Sequence, residues 1–358
     1  MSAGPRAARW WWPLSDDILI IDGSGGEGGG QVLRTSLALS AMTGIPLEVE
    51  NIRANRPKPG LARQHLAGLE LMGRLCGARI SGGQVGSATI EFVPGKIRHG
   101  EYKFDIGTAG SVTLLLQTVL PALASVQGCS IISLIGGTDV KWAPSIDYCT
   151  MVLFPLLERC GLECSIETGA RGYYPKGGGS ITAKINSPNR LKPLAIEPLA
   201  EPRVIRGRVN ITDLPVKIAE RVRDSALNAL PENLRKLAHI EIEHRETGPS
   251  QGIGIVLAVS DGRTFLGSSS LGERGKPAVA VGQEAARNLV AEIDSKASVD
   301  MHASDQLLPY LAMAGGYFTA GELTGHAETN VGTVEKFFGD IIRVENGTLV
   351  RYSSERRM

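Results

Sequence analysis

The sequence lacks paired cysteines, long apolar runs and an excess of charge of one sign. Its five cysteines form no CxxC pair and have no accompanying histidine cluster. This pattern argues against a zinc site and a disulfide framework, and it indicates small core residues in a reducing, cytoplasmic compartment. No run approaches ~18 uninterrupted apolar residues, so no membrane span is predicted. The formal net charge of +1 argues against wholesale coating of nucleic acid, although a local basic patch stays compatible with it.

The composition is that of an ordinary globular protein built from many short elements. Hydrophobic residues make up 42% and charged residues 21% of the 358 residues, which allows one large domain or two moderate ones. The 44 glycines fall largely between segments of apolar periodicity, where they predict turns. Gly44 is predicted to end a helix over residues 31–42, and Gly77 a helix over residues 61–76. Residues 1–17 contain three consecutive tryptophans and are predicted to form a loosely ordered tail.

Apolar periodicity predicts the same order of elements three times along the chain. Each copy reads as a helix, a strand, a second helix and further strands, over roughly 70 to 80 residues. The predicted fold is therefore α/β, with three helix–strand–helix–strand repeats forming a large domain from residues 18–185 and 297–358. Residues 186–296 begin with a proline-studded linker. The strands predicted at 204–211, 238–243 and 252–259 and the helices predicted at 216–230 and 277–293 are enough for a small inserted α/β domain.

The segment Phe318–Phe338, FTAGELTGHAETNVGTVEKFF, holds the most suggestive histidine. It predicts a strand, a turn containing His326, and a helix from Val331 with Thr329 or Asn330 as its N-cap. Backbone N–H groups at a helix N-terminus favour a phosphate. A histidine there could attack phosphorus, hold a metal, shuttle a proton or simply cap the helix.

A glycine loop, GSGGEGGG, follows the first predicted strand and precedes a helix. Gly23, Gly25 and Gly28 give the spacing G-x-G-x-x-G, with acidic residues at the distance where a dinucleotide site needs a ribose-binding carboxylate. Glu27 would repel a bare pyrophosphate, so the loop suits a metal-bridged triphosphate better than a dinucleotide. The alternative interpretation is a flexible turn with a solvated glutamate.

Two further segments carry polar groups that need an explanation. The segment from residue 51 to 65, NIRANRPKPGLARQH, has several cations and no acid, and its prolines stiffen it into a candidate phosphate clamp or a solvated basic loop. HASDQ, residues 302–306, is predicted to start a helix with Ser304 as its N-cap. Gln117 lies within an apolar helix, where a buried amide needs partners and a ligand is one candidate.

Taken together, these segments resemble the RNA 3′-terminal phosphate cyclase family from about Ile18 to Tyr352. The resemblance rests on seven motifs in order: DGSGGEGGGQVLR, RANRPKPGLARQH, GTAGSVTLLLQTVLPAL, GGTDVKWAP, GYYPKGGG, HASDQLLPYLAMAGG and HAETN. It implies three α/β repeats with a small inserted domain. It also implies an enzyme that uses ATP and a divalent metal such as Mg or Mn to act on RNA with a 3′-terminal phosphate.

The chemistry that the resemblance implies has three steps. A histidine attacks the α-phosphate of ATP, AMP passes to the RNA 3′-phosphate, and the ribose 2′-hydroxyl then closes a 2′,3′-cyclic phosphate. The HAETN motif assigns the nucleophile to His326. Imidazole, with a pKa of ~6.5, leaves phosphorus more readily than a lysine amine with a pKa of ~10.4, which suits transfer to a weak acceptor.

The resemblance also assigns the remaining site residues. Glu27 matches the acid that helps hold the metal. ATP-binding positions match Gln117, Pro144, His302, Ala303, Ser304, Asp305 and Gln306. Basic positions near the triphosphate and the RNA end match Arg34, Arg53, Arg56, Arg63 and His65. The chain departs from bacterial relatives at His302, where they tend to have tyrosine, and at Lys141 and Trp142, where smaller residues are common.

Three alternatives remain. A cyclase-like branch acts in ribosome assembly without adenylylation, but its members lack the nucleophilic histidine. An NAD-dependent dehydrogenase would need a doubly wound parallel sheet. A non-catalytic RNA-binding module would leave the polar ATP-site positions without a role. The physiological RNA and the oligomeric state are not encoded in any recognisable motif.

Overall fold

The computed structural model describes residues 18–26 and 29–353, which form four four-stranded sheets and their helices. The first unit has the sheet order β1-β2-β4-β3. β1 and β2 are parallel, whereas β4 is antiparallel to both β2 and β3. Its elements are β1 (Leu19–Asp22), α1 (Gly30–Thr43), β2 (Leu47–Glu50), α2 (Arg63–Cys76), β3 (Arg79–Ser81) and β4 (Ile90–Val93).

Two glycines end the helices of this unit as the sequence predicts. α1 ends at Gly44 and α2 at Gly77, both in the left-handed conformation that closes a helix. The N–H of Gly44 donates to the carbonyl of Ser40, and that of Gly77 donates to the carbonyl of Gly73. Leucines on the buried faces of both helices pack into the main core.

The second unit repeats this arrangement with the order β5-β6-β8-β7. Its predicted second helix is three contiguous segments, the middle one π-helical. The elements are β5 (Glu101–Asp105), α3 (Val112–Ala124), β6 (Gly128–Gly136), α4 (Ile146–Tyr148), the π-helix (Cys149–Leu153), α5 (Phe154–Glu158), β7 (Glu163–Ala170) and β8 (Gly179–Ser187).

A two-residue strand, β9 (Leu194–Ala195), precedes a separate four-stranded unit with its own apolar core, called the inserted unit below and running from β10 to α8. The sheet order of that unit is β11-β10-β12-β13, and α6 packs beside α8. Its elements are β10 (Val204–Thr212), α6 (Val216–Ala229), α7 (Glu232–Arg235), β11 (Ala238–Arg245), β12 (Gly252–Ser260), β13 (Phe265–Leu271) and α8 (Ala278–Asp294).

The third unit is completed only after this excursion. β9 pairs in parallel with β14, and the full order is β15-β16-β14-β9. β9 lies within the range 186–296 that the sequence assigns to the inserted domain, so we propose that the small domain starts after β9. The remaining elements are α9 (Met301–Gln306), α10 (Leu308–Ala314), β14 (Gly316–Thr319), α11 (Gly325–Phe338), β15 (Ile342–Glu345) and β16 (Leu349–Tyr352).

The architecture confirms the predicted α/β class and disagrees with a dinucleotide-binding domain. Every described sheet combines one parallel pair with antiparallel pairs, whereas a doubly wound sheet is mostly parallel. The dehydrogenase alternative therefore loses its structural basis. None of the described helices combines the length and the apolar composition needed to cross a bilayer.

Candidate active site

Three helices from two different units meet through a set of polar side chains. Gln31 on α1 donates from Nε2 to Oδ2 of Asp305 on α9 at 2.5 Å. Thr35, one turn further along α1, donates from Oγ1 to Oδ1 of Asn330 on α11 at 2.7 Å. The Asn330 amide in turn donates to the backbone carbonyl of Asp305 at 3.0 Å. These bonds fix α1, α9 and α11 relative to one another.

A small cavity of about 30 Å³ lies between these helices and α3. That volume holds about one water molecule, so a larger ligand would lie across its mouth. Half of its wall is apolar and consists of Leu116, Leu120, Pro121, Cys149, Leu153, Phe154, Pro309 and Tyr310. The polar lining consists of Gln31, Arg34, Thr35, Thr113, Gln117, Asp305, Gln306 and Asn330.

Arg34 and Asp305 are the charged pair of this cavity. Burial lowers the pKa of Arg34 to about 10, although the nearby Asp305 carboxylate opposes the shift. Burial raises the pKa of Asp305 to about 7, against the opposing effects of Arg34 and the Gln31 amide. Arg34 is therefore cationic at neutral pH. Asp305 changes its protonation state near neutral pH, so its carboxyl group could donate a hydrogen bond to a ligand or accept one from it.

His65 lies directly over the first residue of α1. A Cβ atom added to Gly30 would be 1.9 Å from Nε2 of His65 and 3.1 Å from Nη1 of Arg34, so only glycine allows this approach. The Nδ1 atom of His65 is buried and has no hydrogen-bond partner among the described residues. Burial and the charges of Arg34 and Arg53 lower the pKa of His65 to about 3. The ring is neutral in a cationic setting that would favour an anion.

Gln117 and the HASDQ segment also contact each other. The Gln117 amide donates to Oε1 of Gln306 at 2.7 Å, and Gln306 donates to the carbonyl of His302 at 2.6 Å. The exposed His302 ring stands edge-on to Tyr148, with centroids 6.1 Å apart. Ala303 and Ser304 are buried within α9.

The predicted Ser304 N-cap is wrong. α9 starts at Met301, and Asp300 caps it by accepting hydrogen bonds from the N–H groups of His302 at 3.0 Å and Ala303 at 2.9 Å. The Ser304 hydroxyl instead donates to the carbonyl of Met301 at 2.8 Å. An aspartate four residues earlier competed successfully because its carboxylate accepts two N–H groups at once.

The predicted start of the His326 helix is also wrong. α11 begins at Gly325, and the Thr324 hydroxyl accepts from the N–H of Ala327 at 3.1 Å, so Thr329 and Asn330 lie inside the helix. His326 is therefore in the first turn, four residues before Asn330 and on the same side of the helix. The glycine loop adjoins this turn, because a Cβ at Gly26 would be 2.0 Å from Oγ1 of Thr329.

The arginines of the basic segment, residues 51–65, lie outside the lining of the cavity. Arg53 donates to the carbonyl of Gly60 at 2.9 Å, and Arg63 donates to the carbonyl of Ile106 at 3.1 Å. Arg56 is exposed and lies 3.4 Å from the position of a Cβ on Gly29. These three arginines do not line the cavity, which distinguishes them from Arg34.

Pro144 touches the site from the second unit. Its carbonyl accepts a hydrogen bond of 2.6 Å from the hydroxyl of Thr113, which lines the cavity. The predicted metal-binding residue, Glu27, lies outside the described residues. Within the described part of the chain, no three His, Cys, Asp or Glu side chains are placed to hold a metal.

The sequence prediction missed Gln31, Thr35 and Asn330. Gln31 and Thr35 are spaced i, i+4 on α1 and lie on its buried face, where a polar pair needs partners. Asn330 follows the candidate nucleophile by the same spacing, but it was interpreted as a possible helix cap. A correct start for α11 would have placed it on the inner face.

Comparisons with known proteins identify the family. The sequence model of RNA 3′-terminal phosphate cyclase matches residues 25–344. A cyclase of this name from Pyrococcus furiosus is 42% identical over 92% of this chain and 96% of its own. Another from Thermococcus onnurineus is 46% identical over 92% of this chain and 96% of its own. One from Archaeoglobus fulgidus is 45% identical over 93% and 99%.

A solved structure, the enolpyruvyl transferase NikO from Streptomyces tendae, aligns with 94% of this chain at 14% identity. The alignment covers 48% of that chain, and its TM-score of 0.38 is too low to support any conclusion. The matches to cyclases, by contrast, extend over nearly the whole sequence. The chain belongs to the RNA 3′-terminal phosphate cyclase family.

Proposed function

We propose that this protein converts an RNA 3′-terminal phosphate to a 2′,3′-cyclic phosphate at the expense of ATP. The proposal rests on the place of His326 at the start of a helix, in a chain that belongs to the RNA 3′-terminal phosphate cyclase family. It lies in the first turn of α11, one turn before an asparagine that binds the backbone of Asp305. A nucleotide held by α1 and α9 would thus extend its phosphates toward the N–H groups at the start of α11.

In the first step, a ring nitrogen of His326 attacks the α-phosphorus of ATP. A P–N bond forms, the bond to the bridging oxygen breaks, and pyrophosphate leaves. The RNA 3′-phosphate then attacks the same phosphorus and releases the histidine. Finally the adjacent 2′-hydroxyl attacks the RNA phosphorus and expels AMP. Imidazole is suited to both roles, since it is largely neutral at pH 7 and departs readily from phosphorus.

The other residues bind and orient the nucleotide. Arg34, cationic and buried, would neutralise phosphate charge together with Arg53 and Arg56, and the neutral His65 would gain an anionic partner for its buried Nδ1. Asp305 and Gln117 would bind the nucleoside part, with Asp305 able to act as donor or acceptor near pH 7.

A divalent metal fits this donor set only in cooperation with ATP. Mg²⁺ is commonly held by one or two carboxylates together with substrate phosphates, and Glu27 in the glycine loop would supply such a carboxylate. The ion would neutralise charge on the leaving pyrophosphate. Glu27→Gln should then reduce labelling in proportion to the loss of metal affinity.

The test is covalent labelling of the protein by ATP carrying a label on its α-phosphate, with Mg or Mn present. We expect label on the denatured wild type that is labile in acid and stable in alkali, as a phosphoramidate should be. His326→Ala should abolish it. His239→Ala is the matched control, because that side chain is 78% exposed in the inserted unit and should leave labelling unchanged.

Cyclisation is tested separately with an RNA oligonucleotide ending in a 3′-phosphate. Conversion to a phosphatase-resistant end that requires His326 would support the whole sequence of steps. Absence of labelling with either metal, in a folded protein, would refute the adenylylation step. The cyclase-like ribosome-assembly role would then be the better proposal.

A further inference from the structure

The two most exposed large apolar side chains in the described part of the protein are both aromatic and lie on neighbouring loops. Trp142 is 94% and Tyr174 is 78% exposed, and they are the two aromatic residues among the large apolar side chains that are exposed within residues 18–26 and 29–353. Their loops are joined by a β-bridge between Asp139 and Tyr173 and by a hydrogen bond of 2.8 Å from the N–H of Thr138 to the carbonyl of Gly172. The loops that carry the two exposed rings therefore lie side by side.

The stability of the fold does not account for either ring. Trp142 has a φ of +59°, a left-handed conformation that is costly for any residue with a Cβ, yet its side chain is almost fully solvated. The neighbouring Tyr173 shows what a structural tyrosine looks like here. It is buried, and its hydroxyl donates to Oδ1 of Asn210 at 2.7 Å. Tyr174 has no such burial.

Lysines accompany both rings. Nζ of Lys141 lies 5.8 Å from the centroid of the Trp142 ring, and the same ammonium pairs with Glu273 at 2.6 Å. Lys176 follows Tyr174 by two residues, is exposed, and forms no ion pair within the described residues. Aromatic rings interleaved with cations are the combination by which proteins hold single-stranded nucleic acid, with bases on the rings and phosphates on the cations.

This surface also adjoins the candidate active site. Trp142 precedes Pro144 by two residues, so their Cα atoms are no more than about 8 Å apart. The Pro144 carbonyl is bonded to Thr113, whose side chain lines the cavity between the helices. The loop that carries Trp142 is therefore linked through Pro144 to the wall of the cavity.

We propose that Trp142 and Tyr174 form a stacking platform for the bases of single-stranded RNA just upstream of the end held in the active site. The identity of that end rests on the proposed function, but the stacking itself does not. The platform would give affinity with little preference for sequence, because every base has a π-face.

The four tryptophans of the chain allow a direct test. Replacing Trp10, Trp11 and Trp12 by phenylalanine leaves Trp142 as the sole tryptophan. Its fluorescence should be quenched when single-stranded RNA is titrated into the full-length protein without ATP, and a blunt duplex of the same sequence should quench much less. Equal quenching by the duplex, or none by the single strand, would overturn the proposal.

Affinity measurements without ATP complete the test. Trp142→Ala and Tyr174→Ala should each weaken binding of a single-stranded oligonucleotide about tenfold, the typical effect of removing one base–aromatic stack. Trp142→Phe should retain most of the affinity, and Val279→Ala, an exposed apolar residue of α8, should not change it. Alanine variants within twofold of wild type would refute the platform and favour a protein partner for this surface. Because no ATP is used, failure of adenylylation would refute the cyclase proposal without affecting this result.

Discussion

Replacing Arg171 should lower the free energy of unfolding, because this residue forms ion pairs with acids of both the second unit and the inserted unit. Its side chain is 1% exposed and contacts three carboxylates. Nη1 lies 2.7 Å from Asp147 and 3.3 Å from Asp139, and Nη2 pairs with Glu243 on β11. Arg171→Met keeps most of the apolar length of the side chain but removes the charge that these acids share.

The size of the expected loss of stability follows from the carboxylates that stay buried when Arg171 is replaced. Asp139 and Asp147 are 0% and 2% exposed, so water cannot replace the guanidinium. Removing one partner of a buried ion pair costs about 3–5 kcal/mol. Asp147 keeps hydrogen bonds from Arg208 at 3.0 Å and Asn210 at 3.1 Å, which should hold the loss near the lower end of that range.

The pH dependence gives the reasoning a second test. Burial already raises the pKa of Asp139, and Arg171 is the charge that opposes this rise. Without Arg171 the carboxyl pKa should rise further, so the folded variant binds a proton that the unfolded chain releases above about pH 4. The destabilisation should therefore be largest near pH 7 and shrink as the pH falls toward 5.

Urea unfolding of the full chain at pH 7 and pH 5 measures both effects. Arg223→Met is the matched control: its ion pair with Asp224 has side chains 36% and 56% exposed, and it should cost under about 1 kcal/mol. A loss of under about 1 kcal/mol for Arg171→Met, or a loss that grows on acidification, would refute the account of a buried charge network.

Three further predictions concern the site. Asp300→Ala should raise the ATP concentration needed for half-maximal labelling, because α9 loses its cap and the N–H of Gly267 on β13 loses its acceptor; unchanged labelling with full stability would contradict this. ATP should raise the pKa of His65 from about 3, seen by NMR titration of its ring, and an unchanged pKa in the complex would place the phosphates elsewhere. Gly30→Ala should displace His65 and reduce labelling about 100-fold, while circular dichroism should show unchanged helix content. Near-normal labelling would show that His65 is dispensable.

Much of the fold was predictable because its signals are local. The helices that end at Gly44 and Gly77 were predicted correctly, since a left-handed glycine after an apolar-periodic segment ends a helix whatever surrounds it. β9 was missed because two residues carry no periodicity. β13, FLGSSSL, was missed because its serines resemble a loop, although its register with β12 is regular.

The site was predictable only where a motif marked it. Arg34, Gln117 and Asp305 do meet at one cavity, but the sequence did not predict that the amides of Gln31 and Asn330 connect the helices. The helix cap was misassigned in both α9 and α11, because several Ser, Thr, Asp and Asn residues compete and only the tertiary context decides among them. Partners far apart in sequence, such as those of Arg171, leave no local signal.

The division of the third sheet by the inserted unit has a consequence for the newborn chain. β9 leaves the ribosome about 120 residues before β14, the strand with which it pairs. At translation rates of about 5–20 residues per second, this is a delay of roughly 6–24 s, during which the first two sheets can already form. His326 and Asn330 emerge later still. A nascent chain that has released only the first two sheets therefore still lacks the proposed nucleophile, so the proposed adenylylation would have to wait until α11 has emerged.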